Sequence, residues 1–423
     1  MIPLAIQLRA DYAGAVNERE RTPAQQRRTF LLLWIVFFFH GMVPGFWIPA
    51  LTNILKTGGH AGYVAAAFAV PPLCALISPL IGGSLADQRC SANRLFAWTS
   101  IAGAFSLMIA FAGLYAKWPP AFFLTFLGGY SLMSGPAWGL LATISLATMD
   151  KGEHQFPRVR MGATLGWVAG GLLTSYVLQA DTSPIVGLVA GGVKILAGGL
   201  AFLLPDAPPL GRSTSWRSLL GMESFRLLKQ RDQLVFFGVT LMFSIPITAF
   251  YTYSPELLSV LGDTKPAATM TIAQASEVVS MLLLGSLMTR FRVKTLLLVA
   301  LGLSVVRFGL CGVGGATGLI GWHIAGIALH GMCYTLYFVT AQIFLDRRVE
   351  PGMRGQAQGL LSMMTSGLGP LAGAIVCGWL RHVLVKESGA GWEAFWWTLA
   401  SIIAMCFIVF AFLYRGRDRE TAA

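Results

Sequence analysis

The amino-acid sequence predicts an all-α membrane protein, with twelve transmembrane helices arranged as two bundles of six. Three observations carry this reading. Hydrophobic residues make up 55% of the 423 and charged residues only 12%, about half the charged share of a soluble domain. Uncharged stretches cover residues 29–55, 57–86, 95–116, 118–149, 355–380 and 394–414, and each exceeds the roughly 20 apolar residues that cross a bilayer as a helix. The basic residues, finally, fall in alternate loops.

The elements follow in chain order. Residues 1–28 form a polar, charged arm, unlike the apolar core of a cleavable signal. The first bundle, 29–205, holds expected spans at 29–52, 61–84, 95–114, 120–147, 161–179 and 184–204, the last interrupted by Lys194. A polar linker, 206–232, is the longest break between spans. The second bundle, 233–414, holds spans at 233–257, 266–288, 294–312, 318–345, 355–380 and 394–413, with Glu277 and Arg307 inside the eighth and ninth. Residues 415–423 are a short charged tail. Pro44, Pro49, Pro72, Pro136, Pro246 and Pro370 lie within expected spans, where a proline frees a backbone carbonyl and bends the axis.

The net charge of +12 is read as a topology signal. Short loops rich in Lys and Arg stay cytoplasmic. With the N-terminus inside, 24 of the 31 basic residues lie in cytoplasmic segments and five outside, Lys194 and Arg307 being buried. Both termini are therefore expected in the cytoplasm, and a nucleic-acid patch is not expected. Five of the six cysteines fall in spans and Cys90 in a loop, without metal-ligand spacing, so neither a disulfide framework nor a metal site is expected.

An internal repeat supports the division into halves. GSLADQRCSANRLF begins at Gly83, after the second span, and GSLMTRFRVKTLLL begins at Gly285, after the eighth. Matching loops six spans apart imply parallel halves related by an axis along the membrane normal. At these residues the chain resembles the major facilitator superfamily, whose loop between helices 2 and 3 carries a glycine, an aspartate four residues on, and basic residues. Gly83, Asp87 and Arg94 are the gating-loop positions of that resemblance, with Cys90 where the family has a second glycine. Independently of it, Gly83 allows close helix approach, and Asp87 is suited to a helix N-terminus.

A narrower resemblance covers most of spans 5 and 8 to 11. FPRVRMGATLGW from Phe156, MTIAQASEVVSMLLLGSLMTRF from Met270, LSVVRFGL from Leu303 and VEPGMRGQAQGLLSMMTSGLGPLAGAIVCGWL from Val349 are similar to the nucleoside:proton symporters of that superfamily. The resemblance implies a carrier with a central site, nucleoside and protons as its cargo, the bacterial inner membrane as its location, and a functional monomer.

The candidate site residues also stand on their own chemistry. An ionised side chain at mid-membrane costs roughly 2.5 to 3.5 kcal/mol, so Glu277 and Arg307 must face the protein interior, as a site or as a structural pair. Gln274 and Glu277, three residues apart, share a helix face and offer an amide and a carboxylate. Arg160, Thr164 and Trp167 recur at i, i+4 and i+7 and align a cation, a hydroxyl and a ring; the alternative is a cytoplasmic charge and a core tryptophan. Gly162, Gly166 and Gly170 read as close packing on an adjoining face. The resemblance makes the helix-5 residues and Tyr334 part of the nucleoside site. His330 aligns there with a tyrosine, and Thr335 stands where relatives carry an acid implicated in proton coupling. Ile247 and Phe250 stand at the family's polar glutamine and asparagine. Glu277, with Arg307 as a possible partner, is then the expected proton carrier.

Phosphate-loop, HExxH and GxSxG motifs are absent from the sequence. Neither an enzyme nor a cofactor is expected. The reading is a proton-coupled nucleoside carrier in the lipid bilayer; a carrier of another small solute (a sugar or aromatic acid) and a non-transporting receptor are the alternatives.

Overall fold

The computed structural model describes residues 22–149, 152–210, 221–263, 266–386 and 389–416. Residues 1–21 of the arm, 211–220 of the linker and 417–423 of the tail lie outside the described residues. Among those described, the regular structure is helical throughout. Helix α1 (Pro23–Thr57) starts at a capping box in which Thr22 Oγ1 accepts from Gln25 N at 3.3 Å and Gln25 Oε1 accepts from Thr22 N at 2.9 Å. Pro23 adds a fixed φ where no intrahelical donor is needed.

The prolines act unequally. Pro44, Pro49 and Pro246 sit inside continuous helices, α1 and α9 (Arg231–Val260). The second span is split into α2 (Val64–Cys74) and α3 (Ser78–Gln88), just after Pro71 and Pro72. After α4 (Ala92–Tyr115), the fourth span breaks at Gly135 and Pro136 into α5 (Pro120–Ser134) and α6 (Ala137–Thr148). Then come α7 (Gly152–Leu172), running into a π-helical turn at Leu173–Val177, and α8 (Ile185–Ala201). The linker contributes a 3₁₀ segment at Met222–Lys229.

Beyond α9 run α10 (Pro266–Arg290) and α11 (Val293–Thr317). The tenth span is assembled from α12 (Ile320–Ala328), α13 (His330–Tyr334), a π segment (Thr335–Val339) and α14 (Thr340–Arg348). The eleventh joins α15 (Arg354–Ser362), a π segment (Met363–Leu368) and α16 (Gly369–Leu384). Helix α17 (Trp392–Leu413) closes the fold.

Nine helical stretches among the described residues are long and apolar enough to cross a membrane, against the twelve spans expected. The fourth, fifth and sixth expected spans are not in that set. Length and charge account for it: α5, α6 and α8 are 15, 12 and 17 residues long, and α7 carries charged residues in its first half.

Packing repeats six spans apart. Helix α1 packs on α7 as α9 packs on α16, and α4 packs on α8 as α11 packs on α17. Small residues permit the closest of these contacts. A Cβ at Gly162, Gly166 or Gly170 of α7 would strike the α1 backbone at Trp34, Phe38 and Met42 respectively, so the α1–α7 seam is a small-residue interface.

Candidate functional site

Two further contacts, between the first and last parts of the chain, repeat in the same way: α3 against α15, and α10 against α7. At the first, Gly83 and Gly355 are so close that a Cβ on either would strike the other's carbonyl oxygen. Asp87, at the end of α3, is buried, and its two carboxylate oxygens accept from Gly355 N at 2.9 Å and Gln356 N at 2.8 Å. Those are orphan donors at the start of α15, where a negative charge also meets the positive end of the helix dipole. Beside them, Arg354 Nε is 3.5 Å from the buried Asp346. At the second contact, a Cβ on Gly285 would strike the His154 carbonyl, and Gly285 O lies 3.2 Å from His154 Nδ1.

Arg94 takes no part in this closure. Its exposed side chain lies 3.9 Å from Asp206, just beyond α8, a surface pair worth at most about 1 kcal/mol. Asp87→Asn replaces one acceptor oxygen with a donor that faces a backbone N–H. A lost charged hydrogen bond costs about 1.5 to 3 kcal/mol, so this face should open roughly tenfold more often. The check, in a Cys90→Ser background, is the rate at which a membrane-impermeant thiol reagent, applied from the α3–α4 loop side, labels a cysteine placed at Ser362. An unchanged rate would show that Asp87 does not hold the face shut.

Above the closure lies a cavity of about 340 Å³. Helices α6 and α7 give it Trp138 and Arg160. Helix α9 gives Ser244, Ile247, Thr248, Tyr251 and Thr252, the tenth span gives Tyr334, Phe338 and Gln342, and the eleventh gives Leu361, Ser362, Thr365, Ser366 and Pro370. Both π segments of those spans border it. A π turn redirects side chains that a regular helix would place elsewhere, and such turns are frequent at functional sites.

Arg160 is buried, with its guanidinium carbon 4.9 Å from the Trp138 ring centre. Its Nε and Nη1 have no hydrogen-bond partner in the chain. One turn on, Thr164 Oγ1 donates to Glu277 Oε1 at 3.0 Å, joining α7 to α10. Glu277 is buried and is held against the tenth span, because Gly331 has only hydrogen where a Cβ would strike the Glu277 backbone, and Gly331 N donates to Ser276 Oγ at 3.0 Å.

Arg160 and Tyr334 thus line the cavity, with Thr164 and Glu277 bonded to each other beside it. Trp167 and Gln274 are both half-buried and do not line it; the Trp167 backbone packs against Gly45. His330 is fully buried behind the wall, stacked on Phe250 at 4.2 Å and 13°, with its Nε2 2.8 Å from the Tyr251 hydroxyl. Arg307 forms no ion pair with Glu277. Its guanidinium lies 4.1 Å from the Phe250 ring centre and 4.7 Å from that of Phe308, in cation–π geometry. Phe250 therefore faces away from the cavity, whereas Ile247 lines it. Thr335 is buried and does not line it. Sequence reasoning missed Trp138, Tyr251 and the hydroxyl residues of α9 and the eleventh span.

A helical bundle with repeated packing, an interior cavity and a closed contact on one face defines a carrier. The family model for nucleoside H+ symporters matches residues 28–419, and the chain belongs to that family. It is 32% identical over 414 residues to the putative nucleoside transporter YegT of Escherichia coli (strain K12), covering 94% of this chain and 96% of that one. It is 25% identical over 411 residues to the nucleoside permease NupG of the same organism, covering 90% and 94%. The crystal structure of NupG superposes with a TM-score of 0.66 at 22% identity, covering 92% of this chain and 99% of that one. That of the major facilitator superfamily proton:xylose symporter XylE gives 0.67 at 14%, covering 92% and 96%. The fold is that of the major facilitator superfamily.

Proposed function

We propose that this protein carries nucleosides across the bacterial inner membrane together with protons, by alternating access, as a monomer with both termini in the cytoplasm. The observation that carries the reading is the central cavity, where a buried guanidinium with unpartnered nitrogens and an aromatic ring face a wall of hydroxyls, beside a buried carboxylate bonded between α7 and α10. A flat, polar base with a sugar attached fits that chemistry. Membership of the nucleoside H+ symporter family supports it. The division into halves at 29–205 and 233–414, and the cytoplasmic position of the Asp87 contact, are part of the same reading. They rest on the repeated packing and on the distribution of the basic residues.

Counterflow tests the substrate. Proteoliposomes loaded with unlabelled uridine or adenosine should transiently accumulate the labelled nucleoside, and a flat trace for every nucleoside would overturn the reading. Stacking on an aromatic side chain is worth roughly 1 to 3 kcal/mol per base, and Trp138 is the tryptophan on the cavity. Trp138→Ala should therefore weaken nucleoside binding about tenfold or more, whereas Trp167→Ala should change it little. Equilibrium binding in detergent distinguishes them, and the reverse order would move the base to the Trp167 side.

A further inference from the structure

The hydroxyls on the cavity wall are not equivalent. Ser244 Oγ donates to Thr240 O at 2.7 Å, Thr248 Oγ1 to Ser244 O at 3.1 Å, Thr252 Oγ1 to Thr248 O at 3.0 Å, and Thr365 Oγ1 to Leu361 O at 3.0 Å. A hydroxyl has one hydrogen and two lone pairs. With the hydrogen committed to its own helix, each of these four presents only lone pairs to the cavity. Along α9 the face presented to the cavity by Ser244, Thr248 and Thr252 therefore accepts and does not donate. Across the cavity Arg160 is the reverse, a pure donor with two unpartnered nitrogens beside the flat face of Trp138.

Tyr251 is the exception on the α9 face. Its ring is about half exposed, it lines the cavity, and its hydroxyl is bonded to His330 Nε2. The direction of that bond follows from the other ring nitrogen. Nδ1 of His330 is buried with no partner. A buried N–H left unpaired is rarer than an unpaired acceptor, so Nδ1 carries the lone pair and Nε2 carries the hydrogen. His330 Nε2–H then donates to the Tyr251 oxygen, and the phenolic hydrogen is free to point into the cavity.

We infer that the α9 face of the cavity is a sugar-reading face, in which Tyr251 donates to a ribose hydroxyl while the neighbouring serine and threonine oxygens of α9 accept from it. His330 is the positioning residue that fixes the direction of the Tyr251 hydrogen bond. A ribose hydroxyl both gives and takes one hydrogen bond, which one donor set among acceptors satisfies; a base edge of carbonyls fits Arg160 opposite. Ring stacking locks the device in place: Phe250 lies against His330, and Arg307 against Phe250. The same stack accounts for an aromatic residue at position 250, where the family carries a polar one. This inference rests on the nucleoside reading and names the part of the nucleoside that α9 recognises.

The test is a two-way comparison in proteoliposomes, of Tyr251→Phe against wild type, with uridine, 2′-deoxyuridine and 3′-deoxyuridine. In wild type, at least one deoxynucleoside should have a KM about tenfold above that of uridine, the loss of one hydrogen bond in a buried site. Tyr251→Phe should raise the uridine KM by a similar factor with kcat little changed, and should add little further for the deoxynucleoside that lacks the contacted hydroxyl. His330→Gln, which keeps a donor at the end of its side chain, should retain more of the ribose preference than His330→Leu. Equal KM increases for all three nucleosides in Tyr251→Phe, or no increase for uridine, would overturn the sugar-reading role. Absence of uptake of any nucleoside by the wild type would instead remove the substrate reading itself, and this inference with it.

Discussion

Glu277→Gln should abolish the accumulation of nucleoside driven by a pH gradient while leaving substrate exchange largely intact. A symporter needs a group that takes and releases a proton as the site changes sides, and Glu277 is a carboxylate buried in α10 with one hydrogen bond, from Thr164. Whether such a group is ionised depends on the balance between burial and nearby charge. Arg160 stands one turn before Thr164 on α7, and Thr164 is bonded to Glu277 of α10, so movement of α7 against α10 changes that balance. Glutamine has the same shape and keeps an oxygen to accept from Thr164, so the fold and the empty-to-loaded cycle should survive. What it cannot do is ionise. Concentrative uptake should fall to the equilibrium ratio, and [³H]uridine exchange should persist. If Glu277→Gln still concentrates uridine under an inward proton gradient, the proton travels on another group.

The second large effect is expected at Arg160. Its guanidinium is held under Trp138 with two nitrogens unpartnered. Leaving those donors unsatisfied in a buried site is costly, and a hydrogen bond to a charged group is worth about 1.5 to 3 kcal/mol. Arg160→Ala should therefore weaken nucleoside binding by roughly one to two orders of magnitude. Arg160→Lys should recover little of it, because an ammonium lacks the planar fork that addresses two acceptors at once. Calorimetric titration of purified protein with uridine reads both. Full recovery by lysine would mean that Arg160 acts only as a charge.

How much of this was legible in the sequence depends on how each residue signals itself. The membrane class, the repeat and the packing glycines of α7 follow from composition and spacing, because the cost of burying charge and the need for close backbone approach both act on local sequence. Arg160, Thr164, Glu277 and Tyr334 are marked either by helical spacing, by charge in an apolar run, or by the family resemblance. Asp87 pointed to a helix N-terminus, but which helix it caps depends on the tertiary fold. Tyr251 and the α9 hydroxyls carry no such mark. Serine and threonine are common in membrane helices, where they bond to their own backbone, and only the π turns and the packing of three spans bring this set to one cavity. Trp167 and Gln274 show the opposite failure. They have fitting chemistry on the same helices, but neither lines the cavity, Trp167 lying about two turns beyond Arg160 on the same face of α7. Glu277 and Arg307, two mid-membrane charges in adjacent spans, are natural partners by sequence; the structure gives Arg307 two aromatic faces instead.

Movement of protons with the nucleoside is the most direct test of the account. Proteoliposomes containing a pH-sensitive dye, at equal pH inside and out with the membrane potential clamped at zero, should acidify internally when uridine is added outside, at a rate that tracks uridine entry. Entry of uridine without acidification would contradict proton coupling and leave a facilitator, or a carrier that uses another ion.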